Sequence, residues 1–415
     1  MNSTLRTLAE DARAASVTLA RLDSDTRTQC LLYIGRQLRH ESAAIMAANA
    51  KDMINARASG LSEVMMERLL LSENHIEAMA KAVESIAQQN DPVGETTKRW
   101  TQDNGLEITK VRAPLGVILM IYESRPNVTI DAAALCIRSG NAVILRGGSE
   151  ADHSNRVLAE CITAALQGVG MPTAAVQRVP TQDRTSIDTL LTFDTLIDLV
   201  IPRGGPGLIR HVAQHSRIPV IRHDQGICHV FVDAKADCAM AERIAVNAKV
   251  ARPGVCNAME TLLVDQAITE KFLPSCLAAM TQAGVEIRGC ARTCVLFPDA
   301  RAATDADWDT EFLGLVLAVR VVDSMDAAIA HIDAHGSHHT ASIVTDDPNA
   351  AERFVREVDA SCVLVNASTR FNDGGSLGLG AEMGISTTKV HAYGPMGVES
   401  LCTERFVVYG NGQTR

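Results

Sequence analysis

The chain has 415 residues, 47% of them apolar, enough for full hydrophobic cores, so it is neither a disordered nor a fibrous protein. Its formal charge of −10, with Lys and Arg scattered rather than gathered into a basic stripe, excludes a nucleic-acid binder and favours small metabolites as partners. The 11 cysteines lack regular short spacings and follow no charged-then-apolar signal, so the chain is read as cytoplasmic; its central apolar run at 115–122 is too short to cross a membrane.

Residues 2 to about 90 carry a helical period, with Leu31, Ile34, Leu38, Ile45 and Met46 separated by charged positions. Residues 100–112 then alternate around Asp103-Asn104-Gly105, which suits a tight hairpin able to pair with another subunit. From Pro114 onward strands are expected near 115–121, 141–146, 175–179 and 196–201, with helices near 127–139, 152–167 and 184–192. That rhythm predicts a parallel, doubly wound sheet. It recurs with strands near 228–233, 260–265, 316–322, 341–345 and 361–365 and helices near 237–250, 267–283, 325–335 and 348–358, a second α/β domain.

Two glycine turns mark the expected ligand ends of the first sheet. Leu145-Arg146-Gly147-Gly148-Ser149 follows one strand, and the 201–209 stretch, with Gly204, Gly205 and Gly207, follows another and opens a helix. Both suit the phosphates and ribose of a dinucleotide, although neither is a strict GxGxxG, and an ordinary strand-to-helix turn is an equal reading of either alone.

Cys256 sits on a Pro-Gly loop between a helical run and an apolar strand, with Arg252, Gly254 and Asn257 beside it. A thiol near a guanidinium is partly ionised, so Cys256 is the candidate nucleophile. Cys30, Cys136, Cys161, Cys238 and Cys276 fall inside apolar helical patterns and read as core. Cys290 and Cys294, with His331, His335, His338 and His339, have a zinc-like composition but no paired CxxC, so they are read as surface residues and no metal is expected.

The order of these parts resembles the aldehyde dehydrogenase superfamily. The stretches Ile121–Val128, Gly140–Gly148, Ile201–Gly205, Arg252–Asn257, Val365–Phe371 and His391–Gly397 look, more narrowly, like the γ-glutamyl phosphate reductase family, end to end. The resemblance implies an aldehyde dehydrogenase-like α/β fold of two doubly wound domains with a β-hairpin oligomerisation element. Residues 1–226, with the hairpin near 96–112, would form the cofactor domain and 227–365 the catalytic domain. Residues 366–415 would return to the first domain as an oligomerisation segment in a homo-oligomer. It implies NADPH-dependent reduction of L-glutamate 5-phosphate to L-glutamate 5-semialdehyde with release of phosphate, the second step from glutamate to proline. It also raises glutamate 5-kinase, which makes the acyl phosphate, as a partner.

On this resemblance the family nucleophile falls on Cys256, which would carry a thioacyl group. The oxyanion would meet the Cys256 backbone N–H and a side chain from Asn257 or Ser124; for Asn257, holding the loop is an equal reading. Arg146 aligns with a lysine that meets the adenosine ribose, and Ser149 replaces an acid that binds the 2′-hydroxyl in NAD-preferring relatives, a change suited to a 2′-phosphate, with Glu150 adjacent as a complication. Gly147 and Gly148 belong to the same turn, while Gly204, Gly205 and Gly207 would lie against the phosphates. Glu311 matches a glutamate on the nicotinamide ribose; on the residues alone it is a surface acid.

Arg125, Arg252 and Arg370 are the arginines nearest the motif loops and are each either substrate contacts or structural ion-pair partners, with Ser368 and Thr369 lining the same pocket. The stretch 221–228 lacks the superfamily's hydrolytic glutamate and offers His223 or Asp224 instead, which favours reduction over hydrolysis. Three positions depart from the family pattern: Tyr393 replaces an arginine, residues 222–225 replace a glycine-rich run, and Ala251 replaces a glutamine. The rival readings are a phosphate-independent aldehyde dehydrogenase and a noncatalytic homologue.

Overall fold

The computed structural model describes residues 2–180, 183, 185–222 and 225–415, arranged as two units. The first comprises Met1–Arg222, Gly378–Gly384 and Pro395–Arg415; the second comprises His223–Leu377 and Ile385–Gly394.

The first unit opens with five helices, Asn2–Leu19, Ser24–His40, Ser42–Ala58, Glu63–Leu69 and Glu73–Gln88. Asp23 accepts from the Thr26 N–H and Ser72 forms a capping box with His75, so two of these starts are fixed by side chains. Leu31, Ile34 and Leu38 of one helix and Ile76, Val83 and Ile86 of another supply the buried faces. The parallel sheet runs Val176–Arg178, Ala142–Gly147, Val117–Tyr122, Leu199–Arg203, and its two middle strands are buried at every position, as near-continuous apolar runs require. Strand order reverses between Val117–Tyr122 and Leu199–Arg203, so the carboxyl ends of these two strands are the unit's switch point, where ligands bind in open α/β sheets.

A separate antiparallel sheet joins Thr96–Thr101, Glu107–Pro114 and Cys402–Tyr409. Gly105 at φ +83° makes the hairpin's turn, a conformation that disfavours other residues. The third strand comes from the chain's own C-terminal stretch, and Phe406, Val408 and Tyr409 stay exposed on it.

The second unit is a seven-stranded parallel sheet in the order Arg301–Ala302, Glu286–Gly289, Val316–Val322, Met259–Asp265, Cys228–Val232, Thr340–Val344, Cys362–Val365. Its larger core joins the helices Cys238–Val250 and Thr269–Gln282 to the central strands through Ala241, Ala245, Phe272, Leu277, Leu262 and Val319. The two strands nearest one edge escape the sequence pattern because one has four residues, half polar, and the other only two.

Residues 366–377 stay with the second unit rather than returning at once to the first. Asn366, at φ +52°, brackets the Thr345 backbone with its side-chain oxygen and nitrogen at 2.9 Å each. Thr369 and Asn372 are likewise tied inside this unit. The chain rejoins the first unit at Gly378.

The expectation of surface histidines needs correction. His331 and His339 are buried, at 4% and 1% exposure; the His331 ring packs edge-on against Trp308 and His229, and His339 Nδ1 lies 2.7 Å from Thr340 Oγ1. Cys238, expected in the core, is only half-buried at the first position of its helix.

Candidate active site

The Cys256 turn is fixed by bonds from segments distant in sequence. Helix Cys238–Val250 ends, residues 251–258 turn, and strand Met259–Asp265 begins, leaving Cys256 partly exposed. The thiol of Cys228 donates to the Cys256 carbonyl at 3.1 Å. Gly226 lies so close that a Cβ there would stand 2.1 Å from the same oxygen and 2.8 Å from the Cys256 Cα, so this position admits only glycine without a backbone shift. The Gly226 N–H in turn donates to Glu311 Oε1 at 3.0 Å.

Asn257 binds the returning chain. Its Nδ2 donates to the carbonyls of Arg370 and Asn372 at 3.3 and 2.9 Å, and its own carbonyl accepts from Thr369 Oγ1 at 2.7 Å. Ser368, 4% exposed, caps the short turn Thr369–Phe371 by accepting from the Arg370 N–H. Asn257, Ser368 and Thr369 therefore use their side chains to seat this turn beside the thiol. Arg370 is half-buried, and burial, then the nearby Arg252, pull its guanidinium below the usual arginine range, while the position of Cys256 favours its charge. Arg252 is exposed, so two cations flank the Cys256 turn.

Cys256 differs in exposure from the thiols buried in the helices. Burial pushes Cys30, Cys161 and Cys276 up to about 12, which keeps them protonated and inert, whereas Cys256 reaches solvent beside arginines. Among the described residues no three His, Cys, Asp or Glu side chains converge as a metal site requires.

In the first unit, Ser124, Arg125, Arg146, Gly147, Gly148, Ser149, Gly204, Gly205 and Gly207 gather at the carboxyl ends of the sheet. Ser124, at φ +47°, is locked by Glu150, whose Oε1 accepts from the Ser124 N–H and Oγ at 2.5 and 3.0 Å. Glu150 is thus turned toward Ser124, leaving exposed Ser149 as the outward residue of its turn. At the switch point Glu123 Oε2 accepts from the Gly205 N–H at 2.9 Å, and Gly207 has open space around it at the start of helix Pro206–His215. Arg146, 8% exposed, donates to the Gly147 carbonyl at 3.0 Å.

Comparison with known proteins then decides the family. The model of the aldehyde dehydrogenase family matches residues 2–289 and 299–382. A Desulfatibacillum aliphaticivorans protein named γ-glutamyl phosphate reductase is 53% identical over 415 residues, covering 100% of this chain and 99% of its own. The chain belongs to the γ-glutamyl phosphate reductases of the aldehyde dehydrogenase family. A Geobacter metallireducens member of this reductase family is 52% identical over 413 residues, 99% of this chain and 98% of its own. The crystal structure of the Thermotoga maritima reductase superposes with a TM-score of 0.95 at 41% identity, covering 99% of each chain. An acetylating aldehyde dehydrogenase from Geobacillus thermoglucosidasius shares the fold at a TM-score of 0.74 and 18% identity, with 100% of this chain and 98% of its own covered.

Several groups at this reductase site were missed from sequence. Gly226, Cys228, Glu123 and the ion pair between Lys249 and Glu260 give little local signal, although an opposite-charge pair set in apolar runs on either side of a cysteine loop was there to be read. The alternatives His223 and Asp224 lie outside the described residues. Tyr393 donates from its hydroxyl to Asp359 Oδ1 at 3.1 Å beside Lys389, and burial pushes its phenol up.

Proposed function

We propose that this chain reduces L-glutamate 5-phosphate to L-glutamate 5-semialdehyde with NADPH, releasing phosphate, in the synthesis of proline. The observation that carries the reading is a partly exposed thiol, Cys256, on a turn held by Gly226 and Asn257 and flanked by Arg252 and Arg370, in a chain of this reductase family. The Cys256 thiolate adds to the acyl carbon, the C–O bond to phosphate breaks, and a thioester to the γ-carboxyl group remains on sulfur. The Cys256 N–H stabilises the oxyanion as sulfur attacks. The Asn257 amide, tied to two carbonyls, holds the turn in register for that contact. Arg252 and Arg370 supply the cations that a phosphate or carboxylate requires.

The first unit fits a nicotinamide dinucleotide phosphate. Helix Pro206–His215 opens on exposed Gly205 and Gly207, Arg146 lies at the end of its strand, and the one acid of the neighbouring turn, Glu150, is committed to Ser124. Bound NADPH would supply the hydride that takes the thioester to the aldehyde level. Glu311, now on the Gly226 N–H, is the group we assign to the nicotinamide ribose.

The exposed Phe406, Val408 and Tyr409 on the three-stranded sheet support a homo-oligomer, which sedimentation would measure. The deciding experiment on function is the reverse reaction. Oxidation of the semialdehyde by NADP⁺ should require inorganic phosphate or arsenate, and rapid acid formation without either would refute this reading in favour of an ordinary aldehyde dehydrogenase. Cys256→Ala should lower turnover by at least about 10⁴-fold with the fold intact, whereas unchanged turnover would mean that this thiol is not the nucleophile.

A further inference from the structure

Lys249 and Glu260 form an ion pair at 2.6 Å in which neither side chain has any solvent exposure. Burial pulls the Lys249 ammonium down and pushes the Glu260 carboxyl up to about 7, and each partner holds the other's charge against that pull. A buried ion pair is weak evidence for stability, because an apolar pair of similar volume is often as stable or more so. The charges answer a need other than stability.

Their position shows what that need is. Lys249 lies in the last turn of the helix before the Cys256 turn and Glu260 is the second residue of the strand after it, so the bond clamps both sides of the turn across eleven residues. The second Glu260 oxygen, Oε1, accepts from the Leu313 N–H at 3.2 Å. Leu313 stands at φ +52°, a left-handed conformation that a branched aliphatic residue holds only when its surroundings impose it. Next to it the Phe312 ring meets two cations, with Lys249 Nζ 5.9 Å and Arg288 Cζ 5.1 Å from its centroid. Glu311 then takes the Gly226 N–H, and Gly226 packs on the Cys256 backbone. One continuous set of contacts therefore fixes the turn from its base and from its side.

We infer that Lys249 and Glu260 are positioning residues for Cys256: the buried ion pair sets the direction of the thiol and of the Cys256 N–H through the turn it clamps and through the 311–313 segment. This rests on Cys256 being the nucleophile. Two variants test it. Glu260→Gln keeps the shape and removes one charge, and the double variant Lys249→Met with Glu260→Leu replaces the pair by apolar groups.

Each should lower kcat by roughly 10- to 100-fold, the penalty of a misplacement near 1 Å, and slow iodoacetamide alkylation of Cys256, followed by mass spectrometry of its peptide, by a similar factor. The double variant should melt at or above the temperature of the parent. A double variant with parental melting, turnover and alkylation would overturn the inference, because the pair would then only fill space. A double variant that fails to fold would overturn it as well, since the pair would be a folding requirement, and Glu260→Gln with parental turnover and alkylation would overturn it on its own. Cys256→Ala with full turnover would instead sink the nucleophile assignment itself, so the two failures are distinct.

Discussion

The thiol turn of the second unit and the two strand-to-helix turns of the first are both built on glycine, yet for different reasons. A Cβ on Gly226 would meet backbone atoms of Cys256 at 2.1 Å, whereas Cβ atoms on Gly148 and Gly204 would meet the carboxylate ends of Glu150 and Glu123 at 2.2 and 2.3 Å. Backbone cannot give way, but the end of a glutamate can. The Cys256 turn is therefore a fixed platform, and the glycine turns of the first unit face the ends of glutamate side chains, which shift more easily than backbone. Fixed geometry suits a nucleophile that must meet a carbon at bond-forming distance, and adjustable geometry suits a cofactor that enters and leaves.

The largest effect expected from this contrast is at Gly226. Gly226→Ala should lower kcat at least about 100-fold, because the displaced backbone carries Cys256, and steady-state turnover measures it. Turnover within threefold of the parent would show that the platform yields and erase the distinction.

The next effect is electrostatic and concerns where each unit keeps its histidines. Among the described residues the buried ones, His229, His331 and His339, all lie in the second unit. Burial lowers His229 to about 4, and burial followed by the neighbouring His229 lowers His331 to about 2. Both are held neutral in the fold, whereas the unfolded chain takes up protons below the ordinary value near 6.5. Stability is therefore complete above about pH 6.5 and is lost as pH falls, by about 2 kcal/mol for each imidazole at pH 5. Urea denaturation between pH 7.5 and 5 should show this decline in the second unit, and His229→Gln should remove about half of it. A flat profile would mean that these rings gain protons in the fold.

Much of this was legible in the sequence, and the limits are physical. Both parallel sheets could be read because strands buried on both faces are unbroken apolar runs and the helices between them keep a 3.6-residue period, as in Val117–Tyr122 and Met259–Asp265. Cys256 could be read because Pro253 and Gly254 break that period beside a thiol and an arginine. The Glu286–Gly289 strand, the burial of His331 and the place of residues 366–377 could not, because each depends on contacts between segments far apart in sequence. The same holds for Glu150. Next to Ser149 in the sequence it looked like a competitor for the ribose, and only its bonds to Ser124 show where its charge is directed.

Cofactor choice tests the adjustable side of the comparison with a smaller effect. Ser149 is exposed at the start of the short turn Ser149–Ala151, where the neighbouring Glu150 is bound to Ser124, so Ser149→Asp should shift the ratio of kcat/KM for NADPH over NADH down by about tenfold, through repulsion of the 2′-phosphate. An unchanged ratio would move the 2′-phosphate away from this turn.

The smallest effect expected is at Gly204, and it bears most directly on the contrast with Gly226. Its missing Cβ faces the Glu123 Oε2 that accepts from the Gly205 N–H. In Gly204→Ala the carboxylate swings aside, the Gly205 N–H loses a partner at an exposed position where water replaces it, and strand Leu199–Arg203, at the edge of its sheet, keeps its pairing with Val117–Tyr122. The KM for NADPH should rise by no more than about threefold with kcat unchanged, since one exposed hydrogen bond contributes about 0.5–1 kcal/mol. If Gly204→Ala instead reduced kcat as strongly as Gly226→Ala, Glu123 would be as immovable as backbone, and the first unit would have to be counted a fixed platform like the second.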